Sequence, residues 1–392
     1  MRILVHDYPG HAFPVQLSRA LAHRSHAVRH LCFKEFQAPK GPIERRMDDP
    51  AGFELGFLDL GEAFAKHSFA KRWVQERRLG ALARADIARW RPDIVLAGNA
   101  PLDVQAGSLA GARDVGAGFV YWLQDLVGVA IRKILSKRMP VLGDAIGLYY
   151  EAMERRLLRA ADAVVAITDD FAPMLRGWGV ANIHTVENWA AREEIAVAPR
   201  DNAFARAHGL VGVTTFVYSG TLGMKHDPSL LRDLAVARPE ARVLVISEGP
   251  GAAWLAAANL PNLAVLPFQP FEKLGETLAS ADVLVAVLES DAGIFSVPSK
   301  VLTYLCAGRP ILAAIPPENL AARLIGRENA GFAVAPADRA GFLAAAKTLA
   351  ENPDLRAAQG AKALDYARRT FDIAAIAGRF AAILESASHP RP

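Results

Sequence analysis

Short runs of consecutive apolar residues alternate along this chain with longer stretches whose apolar positions recur at helical spacing. Arg2–His6 and Val28–Cys32 read as strands, and the runs at Ile94–Ala97 and Gly118–Trp122, with little polar alternation, mark strands buried on both faces of a parallel sheet. Between the first two lie the turn Asp7-Tyr8-Pro9-Gly10-His11 and a helical pattern over Phe13–Ala22. Strand, glycine-containing turn, helix and strand together open a Rossmann-like half. The pattern restarts at Thr215–Tyr218 and continues through strands at Arg242–Ile246, Leu263–Leu266 and Asp282–Leu288. An internal echo agrees with the restart, since Ala161-Asp162-Ala163-Val164-Val165-Ala166-Ile167 parallels Ala281-Asp282-Val283-Leu284-Val285-Ala286-Val287. Polar residues and Pro199 interrupt Glu187–Arg200, which is read as the interdomain linker. The expected fold class is therefore α/β, with one Rossmann-like domain over 1–190, a second over 191–370, and a last segment, 371–392, packing back on the first. Its helix runs from Asp372 through Ile383, after a helical stretch from Asp354 to Arg369.

Composition narrows the class without naming a chemistry. Hydrophobic residues make up 52% of the 392 positions and charged ones 22%, as in a well-cored globular chain long enough for two domains. The 45 basic and 41 acidic side chains leave a net charge of only +4, too small to call for nucleic acid. Cys32 and Cys306 both lie in apolar settings and give no disulfide framework, which suits a reducing cytoplasm. No apolar run reaches the roughly 18 residues of a membrane span, and the first apolar run is too short for a signal peptide. A cytoplasmic location is expected. Helical residues 129–159 carry Arg132, Lys133, Lys137, Arg138, Arg155, Arg156 and Arg159 among Ile131, Ile134, Leu135 and Leu142. Such interleaving suits an anionic membrane surface, and a solvated helix face looks the same.

Candidate chemistry gathers where strands end. Phe295-Ser296-Val297-Pro298-Ser299-Lys300 enters a short helix that closes at Gly308-Arg309-Pro310. Ser299 is expected to cap its first turn, Lys300 to add a charge to the free amides there, and Thr303 to stack on Ser299. The strand at Thr215–Tyr218 runs into Ser219-Gly220-Thr221-Leu222-Gly223-Met224-Lys225, whose glycines admit a ligand to the backbone and whose lysine can reach a negative charge. Gly249 and Glu289 end two further strands of the same half. Two lysines on such loops point to a nucleotide diphosphate. In the first half, Gln124 and Asp125 follow a buried strand; Asp125 serves either a site or the cap of the next helix. The turn at Gly10 holds a donor phosphate or is purely structural. No G-x-G-x-x-G follows the first strand, which argues against a nicotinamide dinucleotide, and no Walker spacing is present. His6, His11, His23, His26 and His30 lack ligand spacing, so neither metal nor cofactor is expected.

These residues resemble a retaining GT-B glycosyltransferase of family 4, in the branch of colanic-acid and O-antigen fucosyl- or N-acetylfucosaminyltransferases. The carriers are Trp122-Leu123-Gln124-Asp125, Glu187-Asn188-Trp189, Tyr218–Lys225, and Val297-Pro298-Ser299-Lys300 with Tyr304 and Gly308-Arg309-Pro310. The resemblance implies two Rossmann-like domains facing each other across a cleft. It also implies same-face sugar transfer from a UDP-, GDP- or TDP-sugar to a saccharide, expected to be lipid-linked, at the inner face of the membrane. On it, Gln124, Asp125, Lys225 and Lys300 are catalytic, while Gly10, Gly220, Thr221, Gly249, Glu289, Ser299 and Thr303 bind the donor. The family's arginine is replaced by Thr221, its histidine by Gln124, and its glutamate pair maps near Phe295 and Thr303, neither acidic. Glu289 or Asp291 would then reach the sugar, and Thr303 a ribose hydroxyl. A nucleotide-sugar 2-epimerase shares the two-domain architecture and stays an alternative, although the acidic and histidine groups expected of it are sparse here. The missing glutamates and histidine keep open a non-catalytic nucleotide-sugar-binding protein.

Overall fold

In a computed structural model, residues 1–35, 43–65, 68–195, 197–223, 226–289 and 298–388 are described. They divide into two compact units, Met1–Glu187 with the C-terminal helix, and Asn188–Asp372.

The first unit is built on a seven-stranded parallel sheet among its described residues: β1 (Arg2–Asp7), β2 (Ala27–Phe33), β3 (Phe53–Leu58), β4 (Ile94–Gly98), β5 (Gly118–Leu123), β6 (Ala163–Ala166) and β7 (Ile183–Thr185). Their spatial order is β3-β2-β1-β4-β5-β6-β7, so the chain reverses its direction of travel between β1 and β4. Helices α1 (Ala12–His23), α2 (Phe69–Trp90), α3 (Leu102–Asp114), α4 (Val127–Arg138), α5 (Leu142–Ala160) and α6 (Ala172–Gly177) connect them. The second unit carries β8 (Thr215–Ser219), β9 (Arg242–Ile246), β10 (Leu263–Leu266), β11 (Val283–Val287), β12 (Ile311–Ala314) and β13 (Gly331–Val334), ordered β10-β9-β8-β11-β12-β13. Its helices are α7 (Ala203–Ala207), α8 (Ser229–Ala237), α9 (Pro250–Ala257), α10 (Leu274–Ala279), α11 (Ser299–Cys306), α12 (Leu320–Arg327), α13 (Arg339–Glu351) and α14 (Pro353–Thr370). Here the reversal lies between β8 and β11. Both sheets are Rossmann-like, as the sequence pattern requires.

The echoed alanine–aspartate pairs have a physical cause. Asp162, just before β6, accepts a hydrogen bond from the amide of Phe119 on β5 at 2.7 Å and pairs with Arg113. Asp282, just before β11, accepts from the amide of Thr215 on β8 at 2.8 Å and pairs with Arg200. Asp93 does the same before β4, taking the Arg2 amide at 2.7 Å. Parallel pairing staggers the strand starts, and a carboxylate satisfies the neighbour's first amide where the ladder has not yet begun.

The helix α15 (Ile373–Ala387) belongs to the first unit. Its apolar stripe buries Ile376, Ala377, Phe380, Ala381, Ile383 and Leu384. Phe380 meets Trp122 of β5 edge-on, with ring centroids 5.0 Å apart, and Phe13 of α1 reaches the same indole at 5.6 Å. Gly118 must be a glycine, because a Cβ there would stand 2.3 Å from the Ala387 carbonyl.

The helical pattern read over 129–159 resolves into two helices, α4 and α5. Pro140 follows Met139, whose backbone is already extended at ψ 84°. The two run antiparallel and close together, because Gly128, Gly143 and Gly147 leave room: a Cβ on each would stand 2.8, 2.2 and 2.5 Å from the opposing backbone. Arg132 is spent inside the pair on Asp144 and Glu151, at 3.0 and 3.1 Å. No described helix is long and apolar enough to cross a membrane.

Truncating Phe380 to alanine should cost about 3–5 kcal/mol, the range for emptying a large aromatic site in a core. Urea unfolding should show the loss. An unchanged midpoint would mean that α15 is not part of the first unit's core.

Candidate functional site

Strands running the same way place all their carboxyl ends on one edge, and a ligand site forms where the order reverses. In the second unit that point lies between β8 and β11, where β8 ends in Ser219-Gly220 and β11 in Leu288-Glu289. The segment 290–297 that leads into α11, including Asp291 and Phe295, lies outside the described residues, as does Lys225.

The helix α11 clamps the end of β8 with two residues one turn apart. Tyr304, fully buried, accepts from the Ser219 amide at 2.9 Å and donates to the Ser219 carbonyl at 3.0 Å. Lys300 donates from Nζ to the Tyr218 hydroxyl and lies 3.9 Å from the centroid of that ring. Tyr218 in turn donates to the Thr221 carbonyl at 2.9 Å. Gly220, at φ 139°, is what lets the ammonium approach: a Cβ there would stand 3.1 Å from Nζ.

Two features set this lysine apart. Among the described residues no carboxylate stands within ion-pair distance of it. Burial alone drives its ammonium down to about 7. A cation held out of water with only an aromatic ring and a hydroxyl for company is stabilised by an incoming negative charge.

Neighbouring loops close around the same edge. The Leu222 amide donates to Ser247 Oγ at 3.1 Å, tying the turn after β8 to the end of β9. Gly251 packs on Leu222, and Gly249, at φ 96°, starts α9 with open space where a Cβ would be. Glu248 accepts from the Phe268 amide at 3.3 Å, which fixes the loop after β10. Gly220, Thr221, Gly249, Glu289, Ser299, Lys300 and Thr303 are thus brought to one edge of one sheet. The expectation for Ser299 changes in one respect. It is the first helical residue, exposed, and Pro298 occupies the cap position without a side-chain hydrogen bond. A proline at Ncap has no side-chain acceptor, so the first-turn amides of α11 are not taken by the expected serine cap.

In the first unit the corresponding edge carries Asp7, Asn99 and Gln124 at the ends of β1, β4 and β5. Gly10, at φ 67°, donates its amide to the Asp7 carbonyl at 3.2 Å, and the His11 amide goes to the Asp7 carboxylate at 2.6 Å. That turn is closed on itself, and Asn99 Nδ2 donates to the same carboxylate at 3.2 Å. A Cβ at Gly10 would also strike Ile43 and crowd Cys32, so packing is reason enough for this glycine. Gln124 is buried and Asp125 half-buried. The cap of α4 falls at Leu126, and its first amides are taken by Glu154 from α5. Sequence reading named neither Tyr218 nor Tyr304 in a role. The i, i+4 spacing of Lys300 and Tyr304 was the available signal.

Residues 12–189 match the family described as Glycosyl transferase 4-like domain, and residues 214–352 that described as Glycosyl transferases group 1. No curated protein sequence matches. Among solved structures, sucrose-phosphate synthase from Thermosynechococcus elongatus is similar at a TM-score of 0.77, with 16% identity and 98% of each chain covered. Alr3699/HepE from Anabaena, in complex with UDP and glucose, gives 0.70 at 15% identity over 98% of this chain and 100% of that one. An alpha,alpha-trehalose-phosphate synthase (UDP-forming) from Burkholderia vietnamiensis gives 0.69 at 13% identity over 98% and 99%. At such identities the likeness speaks for the fold, and it is the GT-B fold.

The lysine geometry sets a pH dependence. A bound diphosphate restores the charged form, so binding takes up a proton wherever free Lys300 is neutral. Affinity for UDP or GDP should therefore weaken as pH rises from about 7 towards 9, where the diphosphate is already fully ionised. Calorimetric titration should show this slope in the native chain and its loss in Lys300→Met. A flat profile in both would detach Lys300 from the phosphate.

Proposed function

We propose, on the premise that this chain is a glycosyltransferase of the GT-B fold using a nucleotide-sugar donor, that it transfers a hexosyl or deoxyhexosyl group with retention to a lipid-linked saccharide in polysaccharide synthesis. The observation that carries the donor half of this reading is the desolvated Lys300 ammonium beside the Gly220 backbone, without a carboxylate among the described residues. It suits the β-phosphate of a nucleoside diphosphate. Gly249 and the loop at 267–270 stand at the neighbouring strand ends, where a nucleoside would lie, and the first-turn amides of α11 add dipoles of the right sign. In same-face transfer the acceptor hydroxyl attacks the anomeric carbon as the diphosphate leaves, and the departing phosphate oxygen takes the hydroxyl proton. The demand on the protein is then for positive charge at the leaving group rather than for a strong base. A glutamine in place of the family's histidine is compatible with that demand. Gln124 and Asp125 are assigned to the acceptor side, Glu289 and Thr303 to sugar and ribose hydroxyls, and Lys225 to the same phosphates as Lys300. The resemblance to the fucosyl- and N-acetylfucosaminyltransferase branch supplies the sugar class.

The lipid-linked acceptor and an inner-face membrane location draw support from the α4–α5 hairpin. At its turn Val141 is 87% and Leu142 61% exposed beside the exposed Met139, and Ile134 on α4 and Leu148 and Tyr149 (59%) on α5 are exposed as well. Lys133, Lys137, Arg155, Arg156 and Arg159 are exposed on the same two helices. A groove of about 560 Å³ runs along the three arginines and Leu148. Apolar side chains at headgroup depth and cations beside them match an anionic leaflet.

A thermal-shift panel of UDP, GDP and TDP, followed by donor consumption with the matching sugars, tests the donor reading. Lys300→Ala should lower turnover by about 10²–10³-fold with the fold intact, the scale of losing one charge-stabilising donor. Near-native turnover would remove Lys300 from the chemistry. Flotation should place the chain on vesicles containing phosphatidylglycerol, with Arg155, Arg156 and Arg159 together changed to glutamine releasing it. Equal flotation on neutral vesicles, or none on either, would reject the membrane reading.

A further inference from the structure

We propose that Glu154 is a positioning residue for the strand end that carries Gln124 and Asp125, holding the turn between β5 and α4 in the geometry that transfer requires. This rests on the assignment of Gln124 and Asp125 to the acceptor side.

Glu154 projects from the middle of α5 and is fully buried beside Met153, Leu157 and Leu158, in a stripe where a leucine would suit stability better. Its Oε1 accepts from the Val127 amide at 2.8 Å and its Oε2 from the Gly128 amide at 3.0 Å. These residues open α4, directly after Asp125 and Leu126, and α4 has no side-chain cap of its own. No cation pairs with the carboxylate among the described residues. Burial pushes its carboxyl up to about 8, against the pull of the α4 amides. The buried Tyr121 of β5 lies within its field as well. One carboxylate therefore joins α5 to the first turn of α4, directly after the end of β5.

An unpaired buried carboxylate is an expensive way to hold a helix, and replacing such a group with an apolar one is often neutral or stabilising. What leucine could not do is fix the register of the turn. The two oxygens accept two successive amides, and the helix dipole favours the negative charge there. Gly128 brings α4 so close to Glu151 that the turn cannot move without parting the helices. Placement of Gln124 and Asp125 is thereby set from α5, the helix that also carries the exposed arginines.

The test compares Glu154→Gln with Leu157→Ala, a core truncation one turn away on the same helix. Unfolding in urea gives the stability cost of each, and donor consumption over UDP-, GDP- and TDP-sugars gives kcat and KM per folded molecule. For Glu154→Gln, kcat should fall by about 10- to 100-fold with the donor KM unchanged, as for misplaced reacting groups. Leu157→Ala should lose stability and keep kcat. Glu154→Asp, which keeps the charge but shortens the reach, should also lower kcat and covers the case in which the glutamine variant does not fold. Native kcat in either folded variant would overturn the positioning role. Native kcat in both Gln124→Ala and Asp125→Asn would overturn the acceptor-side assignment itself, and the positioning role with it.

Discussion

Every ladder in both sheets is parallel, and from that single constraint the candidate site follows. Strands that share a direction put their carboxyl ends on one edge, so the turns after β8 and β9, the end of β11 and the start of α11 have to meet there. The same constraint leaves first amides without a ladder partner on the opposite edge. Asp93, Asp162 and Asp282 answer it one after another, and two of them also pair with an arginine. The amino edge is thus stapled by acids, while the carboxyl edge of the second unit is left with a lysine whose charge is not met by an acid among the described residues.

The two charged side chains that matter most are handled in opposite senses. Glu154 is buried and both of its oxygens accept from helix amides, so its hydrogen bonding is completed within the chain. Lys300 is half-buried and, among the described residues, met only by the Tyr218 hydroxyl and ring, with no carboxylate partner. Backbone dipoles are fixed when the chain folds, whereas a ring and a hydroxyl compensate a full positive charge poorly. That contrast is the ground for proposing Glu154 as a positioning group and Lys300 as a binding one.

Where sequence reading departed from the structure, local rules were overruled by neighbours or applied one residue off. Residues 129–159 have helical periodicity throughout, yet Pro140 divides them, and three glycines turn the division into a tight hairpin. Ser299 is a good cap by composition, but Pro298 already occupies the cap position and leaves the serine as the first helical residue, facing solvent. At Gly10 the amides that looked available for a ligand are taken by Asp7. In each case the outcome turned on a neighbouring residue whose effect spacing alone does not reveal.

The restart near residue 215, the aspartate echo and the presence of glycines and lysines at strand ends were legible in the sequence, because burial on both faces of a parallel strand favours an apolar run, whereas the spatial order of the strands was not. Which polar groups finish satisfied was decided only in three dimensions. Lys300 lies beside Gly220 although the two are far apart in the chain, and Glu154 reaches back to Val127 across a hairpin. Pairings of that kind depend on distances between elements, and periodicity, which describes one element at a time, carries no record of them.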